Sequence, residues 1–295
     1  MKYLKRAARR TALVAVAAMA ANCLLPACAW AERVYQAHDS DLSKRARTVG
    51  VMVLSGSRAR VQQIGTLLIS KYNEFRFEPR DDDLLTDAIY RAVQDELMME
   101  ARYEVSRLPV DLAFARNVLG ELWDPKTGVM NPWPEALVTA IKAAPTDAVL
   151  LIVDGTVYNS AKEAGFFVGP NFVAKGNWVG GGDPTEAHLR FGLRMALFDP
   201  VEGKPVRTGY GSDRPDYSPD VATLWPAGGG RPTQAQWQLM ADYLGSLKSV
   251  YRRALHETGL RPSCALPFYE SNRLAQSRGE SPPPTLPGTD PARCQ

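Results

Sequence analysis

The chain has few of the residue types from which catalytic and metal centres are built. Its 295 residues include only three histidines and four cysteines. It contains no glycine-rich phosphate loop and no Gly-x-Ser-x-Gly turn, and His256-Glu257 has no second histidine four residues after the first. No histidine stands at ligand spacing from a cysteine, so the sequence predicts no metal site and no cofactor. These absences favour a non-catalytic protein over an enzyme.

The chain also lacks a hydrophobic run long enough to span a membrane comfortably. An apolar run occupies residues 11–25, whereas a transmembrane helix needs about 20 residues. Pro26 ends this run, and Ala29-Trp30-Ala31 gives the small-x-small pattern that signal peptidase cuts, just before Glu32. We therefore predict that residues 1–31 are an export signal and that the protein works in the periplasm or cell envelope. The basic residues that precede the run are Lys2, Lys5, Arg6, Arg9 and Arg10.

Residues 25–28 (Leu-Pro-Ala-Cys) leave a second route of processing open. They resemble a lipobox, in which Cys28 would become the lipidated first residue and anchor the protein to the outer membrane. Pro26 fits that pattern poorly but suits a soluble signal peptide, so cleavage after Ala31 and lipidation at Cys28 both stay open.

No excess of either charge sign is present. Removal of the signal subtracts five positive charges from a formal net charge of +3, which leaves about −2. A faintly acidic chain without a basic stripe gives no electrostatic case for nucleic-acid binding.

Cys264 and Cys294 are the cysteines that remain after cleavage at Ala31. In an oxidising compartment two cysteines predict a disulfide, and two unpaired thiols are the alternative. The bridge would close a loop of about 30 residues, worth about 3–4 kcal/mol in the chain-entropy picture. Residues 263–295 around it are rich in proline and are predicted to be a disordered tail. At the other end, residues 32–47 are predicted to be a flexible segment.

Residues 48–262 carry the patterns of one α/β (or α+β) domain. Residues 48–54 predict a first strand, and residues 61–69 are expected to return antiparallel to it. The apolar run at 147–157 predicts a buried central strand. Residues 188–198 alternate, which predicts one packed face and one wetter face. Together these patterns predict a single mixed sheet with helices on one or both faces. The two sets of alternating residues are Leu189, Phe191, Leu193, Met195 and Leu197 against His188, Arg190, Gly192 and Arg194.

Apolar residues three or four apart predict the principal helices. Leu85, Ile89, Val93 and Leu97 form one stripe. A capping box at Thr233 and Gln236 begins a longer helix, which Gly259 ends. We expect the stripe of that helix to pack on the sheet and Arg252 and Arg253 to lie on its far side. The stripe consists of Trp237, Met240, Leu244, Leu247, Tyr251 and Leu255.

Residues 165–183 combine four aromatic residues with six glycines between two predicted strands. One interpretation is a glycine-punctuated hairpin whose aromatic side chains fill the core. The other is a mobile loop that contacts a partner protein, a glycan or a lipid surface. Under the second interpretation the contact residues would be Phe166, Phe167, Phe172 and Trp178.

The order strand, helix, strand, helix precedes the strand at 147–157 and the hairpin at 189–206, whose two strands are joined by Asp-Pro-Val-Glu-Gly-Lys. This order resembles the α/β domain shared by the amino-terminal domain of TolB and the curli-secretion lipoprotein. The likeness covers roughly residues 48–259. The chain departs from the pattern in its longer first hairpin (55–77), its glycine/aromatic insertion and its proline-rich tail.

The resemblance implies a non-catalytic accessory or assembly protein of the cell envelope, in a group whose members are often lipidated and often oligomeric. It therefore implies envelope protein partners, leaves a homo-oligomer open and supplies no catalytic residues. The alternative function is an envelope glycan hydrolase or glycan-binding protein that uses acidic residues near the glycine/aromatic loop. The candidates for that chemistry are Asp154, Asp183, Asp199, Asp213 and Asp216.

The processing prediction is tested by mass spectrometry of the mature protein isolated from the envelope. We expect either Glu32 as the amino-terminal residue or a lipid-modified Cys28. A mature protein that still carries Met1 and its basic segment would show that the export interpretation is wrong.

Overall fold

The structure is a computed structural model that describes residues 41–66, 71–99, 102–124, 129–158, 166–176, 186–213 and 231–261. All of these residues belong to one compact unit. Several of the predicted features lie outside the described residues. These are the export signal, Cys28, Trp178, Cys264, Cys294 and the proline-rich tail.

The described residues form six helices and nine strands. The helices are α1 (Asp41–Arg45), α2 (Leu84–Met98), α3 (Leu112–Leu122), α4 (Glu135–Lys142), α5 (Gln234–Ser246) and α6 (Lys248–Thr258). The strands are β1 (Thr48–Val53), β2 (Arg58–Thr66), β3 (Lys71–Pro79), β4 (Glu104–Arg107), β5 (Ala148–Asp154), β6 (Thr156–Tyr158), β7 (Phe166–Gly176), β8 (Glu186–Asp199) and β9 (Lys204–Asp213). Among these helices, none is both long enough and apolar enough to cross a membrane.

The predicted mixed sheet is confirmed, with the strand order β3-β2-β7-β8-β5-β1-β4 and with β9 on the other side of β8. Antiparallel β8 pairs with β7 through residues 186–192 and with β5 through residues 193–198. β5 and β7 pair with successive parts of β8 on the same side of that strand. The two strands therefore lie end to end in one line, with an interruption between them. β2 likewise continues the line of β1, since β1 is parallel to β5 and β2 is parallel to β7.

The prediction that residues 61–69 return antiparallel to the first strand is wrong. β2 keeps the direction of β1, and its antiparallel partner is β3. Between β1 and β2, Gly56 has φ +92°, and a side chain there would press on Leu85 and Thr86 of α2. The chain therefore passes the amino-terminal end of α2 without reversing, which strand propensity alone does not reveal.

The ordered domain begins before the predicted boundary at residue 48. α1 occupies part of the segment predicted to be flexible, and Leu42 and Ala46 are buried in the core. Burial of these two apolar side chains gives the segment a reason to fold onto the domain.

One face of the sheet packs against α2, α5 and α6. The alternation in β8 is confirmed, because its apolar set is buried there with the stripes of the helices. The capping box and the Gly259 stop are also confirmed, but Leu247 breaks the last helix into α5 and α6. α6 lies close to β9, since an added side-chain carbon at Gly209 would collide with the carbonyl group of Ala254. Glycine at this position therefore permits the contact between helix and strand.

In the described part of the chain, α3 and α4 cover the opposite face beside β1, β5 and the adjoining end of β8. There Met52, Leu54 and Leu151 pack against apolar side chains of the two helices, such as Leu119 and Leu137. Farther along β2, β7 and β8, the same face carries mostly polar side chains, with the buried Val173 among them. This change of character defines the candidate site described below.

A buried ion cluster joins α2 to α6. Glu96 of α2 is 1% exposed and accepts two hydrogen bonds from the guanidinium group of Arg252, at 3.0 and 3.1 Å. It also forms an ion pair with Arg261. The prediction that Arg252 lies on the far side of the helix is therefore wrong, whereas Arg253 is half exposed and pairs with Glu257 one turn away.

The adjacent arginines of α6 form a matched pair for a stability test. Arg252→Gln removes two charge-assisted hydrogen bonds to a buried carboxylate, so we expect a loss of about 1.5–3 kcal/mol of unfolding free energy. Arg253→Gln removes an exposed pair and should cost no more than about 0.5 kcal/mol. Urea denaturation of both variants measures the difference, and equal small losses would show that the cluster contributes little.

Candidate functional site: an arginine-lined face of the sheet

The polar part of the second sheet face is built from alternating residues of β2, β7 and β8. Directly opposed residues in neighbouring strands, and residues two apart in one strand, point to the same face. Arg60 lies opposite Asn171, and Asn171 lies opposite Arg190. We call this surface the arginine face and define it by Arg58, Arg60, Gln62, Asn171, His188, Arg190 and Arg194.

Two arginines of β2 stack on aromatic rings of β3. The guanidinium carbon of Arg60 lies 3.9 Å from the centre of the Phe75 ring, and that of Arg58 lies 4.2 Å from the Phe77 ring. Arg60 is 1% exposed, and burial lowers its pKa to about 10. The rings supply cation–π attraction to charges that have lost much of their hydration.

Asn171 and Gln62 form an amide pair within the arginine face. The side-chain amide of Asn171 donates a hydrogen bond of 3.2 Å to Gln62. Asn171 is fully buried, between the two arginines that lie opposite each other across β7. The amide group of Asn171 in β7 thus lies between the arginines of β2 and those of β8.

Asp154 lies at the point where β5 is interrupted, beside the interruption of the β1–β2 line. The hydroxyl group of Ser55 donates a hydrogen bond of 2.8 Å to one oxygen of Asp154, and Arg58 Nε lies 3.6 Å from the other. A second nitrogen of Arg58 donates to the carbonyl group of Leu119, at 3.0 Å. These contacts link the two strand interruptions to α3.

The carboxyl group of Asp154 is buried without full compensation. Burial raises its pKa to about 6, although the charge of Arg58 and the hydrogen bond from Ser55 act in the opposite direction. Gly169 faces this carboxyl group with φ +65°, and any side chain there would occupy the same space. The site is thus shaped around Asp154 by a glycine in a left-handed conformation.

Among the described residues, no second carboxylate contacts Asp154 to form the pair that glycoside hydrolysis requires. Its contacting groups in the described part of the chain are a serine and an arginine. Asp199, another candidate from the sequence, forms a 2.6 Å hydrogen bond with Arg45. The side chain of Asp213 and all of Asp183 and Asp216 lie outside the description. Across the described ranges, no three His, Cys, Asp or Glu side chains are grouped as a metal site would need.

The arginine face reaches the surface at Arg194. Its guanidinium group lies between two rings, 5.8 Å from Trp133 and 5.0 Å from Tyr210, and also contacts the sulfur atom of Met130. Trp133 is fixed in turn by an edge-to-face contact with Phe198. Tyr210 is 44% exposed, so this end of the face is accessible. We call Met130, Trp133, Arg194 and Tyr210 the Arg194 patch.

The structure separates the aromatic residues that the sequence proposed for partner contact. Phe172 is 1% exposed and packs edge-to-face on Trp237, so its role as a contact residue is wrong and the core-filling interpretation applies. For Phe166 and Phe167 the structure describes only the backbone, in β7. Trp178 lies outside the described residues. The contact role of these three residues stays a prediction.

The alternation in β8 predicted the wetter face of that strand, but the contribution of β2 was not predicted. The signal was present, because residues 58–62 alternate polar and small apolar residues as Arg-Ala-Arg-Val-Gln. This alternation does not reveal that β2 pairs in parallel with β7. That pairing brings the polar residues of β2 and β8 onto one face.

Comparisons with known proteins leave the chain without a family. No protein-family model matches it, and no curated protein matches it significantly. A solved structure titled "Crystal Structure of Lipoprotein GNA1162 from Neisseria meningitidis" is 15% identical, covers 56% of this chain and 81% of its own, and has a TM-score of 0.22. A similarity at this level carries no argument about fold or function. The class of protein is therefore defined by its own architecture, an α/β domain with one mixed sheet.

Asp154 gives the stability a distinctive pH dependence. Its folded pKa of about 6 lies above its ordinary 3.8, so the folded protein binds this proton more tightly than the unfolded chain. The stabilisation that this tighter proton binding gives to the folded state is present below about pH 4 and is lost as the pH rises through about 6. We expect the wild type to lose about 2–3 kcal/mol relative to Asp154→Asn between these pH values.

Asp147→Asn is the control for this experiment. Backbone hydrogen bonds from Thr48 and Arg47 lower the pKa of Asp147, so the wild type should gain stability relative to Asp147→Asn as the pH rises. Urea denaturation across the pH series measures both differences. Parallel curves for the wild type and Asp154→Asn would contradict the prediction.

Proposed function

We propose that this protein is a non-catalytic accessory protein of the periplasm or outer membrane that acts through contacts with other envelope proteins. The observation that carries the proposal is the Arg194 patch, in which a half-buried arginine lies near two aromatic rings, one of them the exposed Tyr210. Arginine, tryptophan, tyrosine and methionine are the residue types enriched at protein interfaces, and they dominate binding energy there. The export signal in the sequence supports the location.

The geometry of the patch suits recognition of an acidic segment. The flanking rings restrict the guanidinium group of Arg194, so less side-chain entropy is lost when a carboxylate binds it. Trp133 and Tyr210 add apolar area on either side of the charge. A partner that presents a carboxylate beside an apolar side chain would satisfy both features.

The resemblance to the TolB-type domain points in the same direction, because that group consists mostly of non-catalytic envelope proteins. Lipidation at Cys28 would add anchoring at the outer membrane. The glycan-directed alternative stays a prediction, since Asp183 and Asp216 lie outside the described residues. Within the described ranges, the side chains that contact Asp154 are those of Ser55 and Arg58.

Photo-crosslinking in native envelopes tests the proposal. A photoreactive amino acid replaces Tyr210 in one protein and the exposed Arg91 of α2 in another. We expect discrete crosslinked protein species from position 210 and none of the same species from position 91. Mass spectrometry of the adducts then identifies the partner.

Charge reversal supplies the matched control. Arg194→Glu should abolish the adducts at position 210, because a carboxylate on the partner would then meet a like charge. Arg91→Glu should leave them unchanged, and thermal denaturation confirms that both variants are folded. Adducts that persist in folded Arg194→Glu, or that never form, would overturn the proposal.

A further inference from the structure

Among the described residues, four strands of the sheet pair with one neighbour only, namely β3, β4, β6 and β9. β4 and β6 contain only four and three residues, too few to offer a long template. β9 is accompanied by α6, and the carboxylate of Glu257 accepts a hydrogen bond of 2.7 Å from the backbone N–H of Tyr210. These are two of the devices by which proteins block edge-to-edge association.

β3, the remaining edge strand, lacks both devices. It contains nine residues that pair with β2 without a register shift, and no described strand lies on its other side. Glu74, Phe75 and Arg76 at its centre are all exposed. Phe75 is 40% exposed although it is a large apolar side chain. A long, regular edge strand with an exposed aromatic side chain at its centre is a template for an added strand.

The charges of β3 favour a second copy of the same strand. In a two-fold symmetric antiparallel pair, each residue lies opposite one on the same face, so the permitted registers differ by two residues. With Phe75 on the two-fold axis, Glu74 lies opposite Arg76 of the second copy and all nine residues overlap. Moving the axis to Glu74 would oppose the two Glu74 carboxylates, and moving it to Arg76 would oppose the two Arg76 guanidinium groups.

We propose that β3 pairs with β3 of a second copy, centred on Phe75, and joins the two sheets into one. The dimer is held by backbone hydrogen bonds, by contact between the Phe75 rings and by two reciprocal Glu74–Arg76 pairs. Arg76 also bonds Glu78 of its own chain at 2.6 Å, so the contact with Glu74 of the second copy would share the guanidinium group with that pair.

The symmetry of the proposed dimer determines the directions in which the two arginine faces point. A two-fold axis perpendicular to the sheet keeps each face on its own side, so both arginine faces would look in the same direction. Phe75 packs on Arg60 at one border of that face, which places the dimer contact beside it. The inference stands independently of the proposed function, because it rests on the edge strand and not on the Arg194 patch.

Charge reversal provides a test with an internal control for folding. In Glu74→Arg, two arginines of each chain would face two arginines of the other, and in Arg76→Glu four carboxylates would meet. We expect each variant alone to have its dimer dissociation constant raised at least about 100-fold. An equimolar mixture should associate again, because the arginines of one variant then lie opposite the glutamates of the other.

Sedimentation velocity of the mature full-length protein, isolated from the envelope, measures the association over a concentration series. The wild type should form dimers, and Arg91→Glu, which reverses an exposed charge on α2, should behave like it. Recovery in the mixture excludes misfolding of the single variants. A monomeric wild type, or single variants that dimerise as well as the wild type, would overturn the proposal. So would a mixture of the variants that stays monomeric.

Discussion

Two interruptions in adjacent lines of the sheet meet at Asp154, and the contacts of its carboxyl group hold them together. Ser55 follows β1 and Arg58 begins β2, so the link to both residues fixes where the chain resumes its strand after the turn. Arg58 extends the link to α3 through the carbonyl group of Leu119. The parallel pairing of β2 with β7, and therefore the assembly of the arginine face, depends on this junction. Burial makes the junction costly, which is visible in the raised pKa of Asp154.

The two faces of the sheet are stabilised by different kinds of interaction. The face under α2, α5 and α6 buries apolar side chains and supplies most of the hydrophobic stabilisation. The arginine face instead holds cations at reduced hydration, and it compensates through ring stacking, the amide pair and the contact with Asp154. An apolar core at this place would avoid the free-energy cost of removing charged groups from water. The partly exposed end of the arginine face, at Arg194 and Tyr210, is where we place the partner contact.

The fold class could be predicted because the relevant signals are local. The alternation in β8, the stripe of α2 and the caps at Thr233 and Gly259 each depend on neighbours within a few turns or residues. The partner of β2 could not be predicted in this way, since residues 58–66 have strand character whichever strand they join. The environment of Arg252 was also missed, because helical periodicity does not show that Glu96 of another helix is buried beside it. The candidate site was predicted only in part, through the polar residues of β8.

The sequence by itself determined the types and approximate places of most of the elements, the packed face of β8 and the expectation of export. These follow from periodicity, turn chemistry and segment composition, which the chain carries locally. Tertiary structure alone decided that β1 and β2 form one interrupted line, that Phe172 fills the core and that four arginines share one face. Each of these outcomes depends on which distant segments lie side by side. Such pairings are set by the packing of the whole sheet and its helices, so no local pattern encodes them.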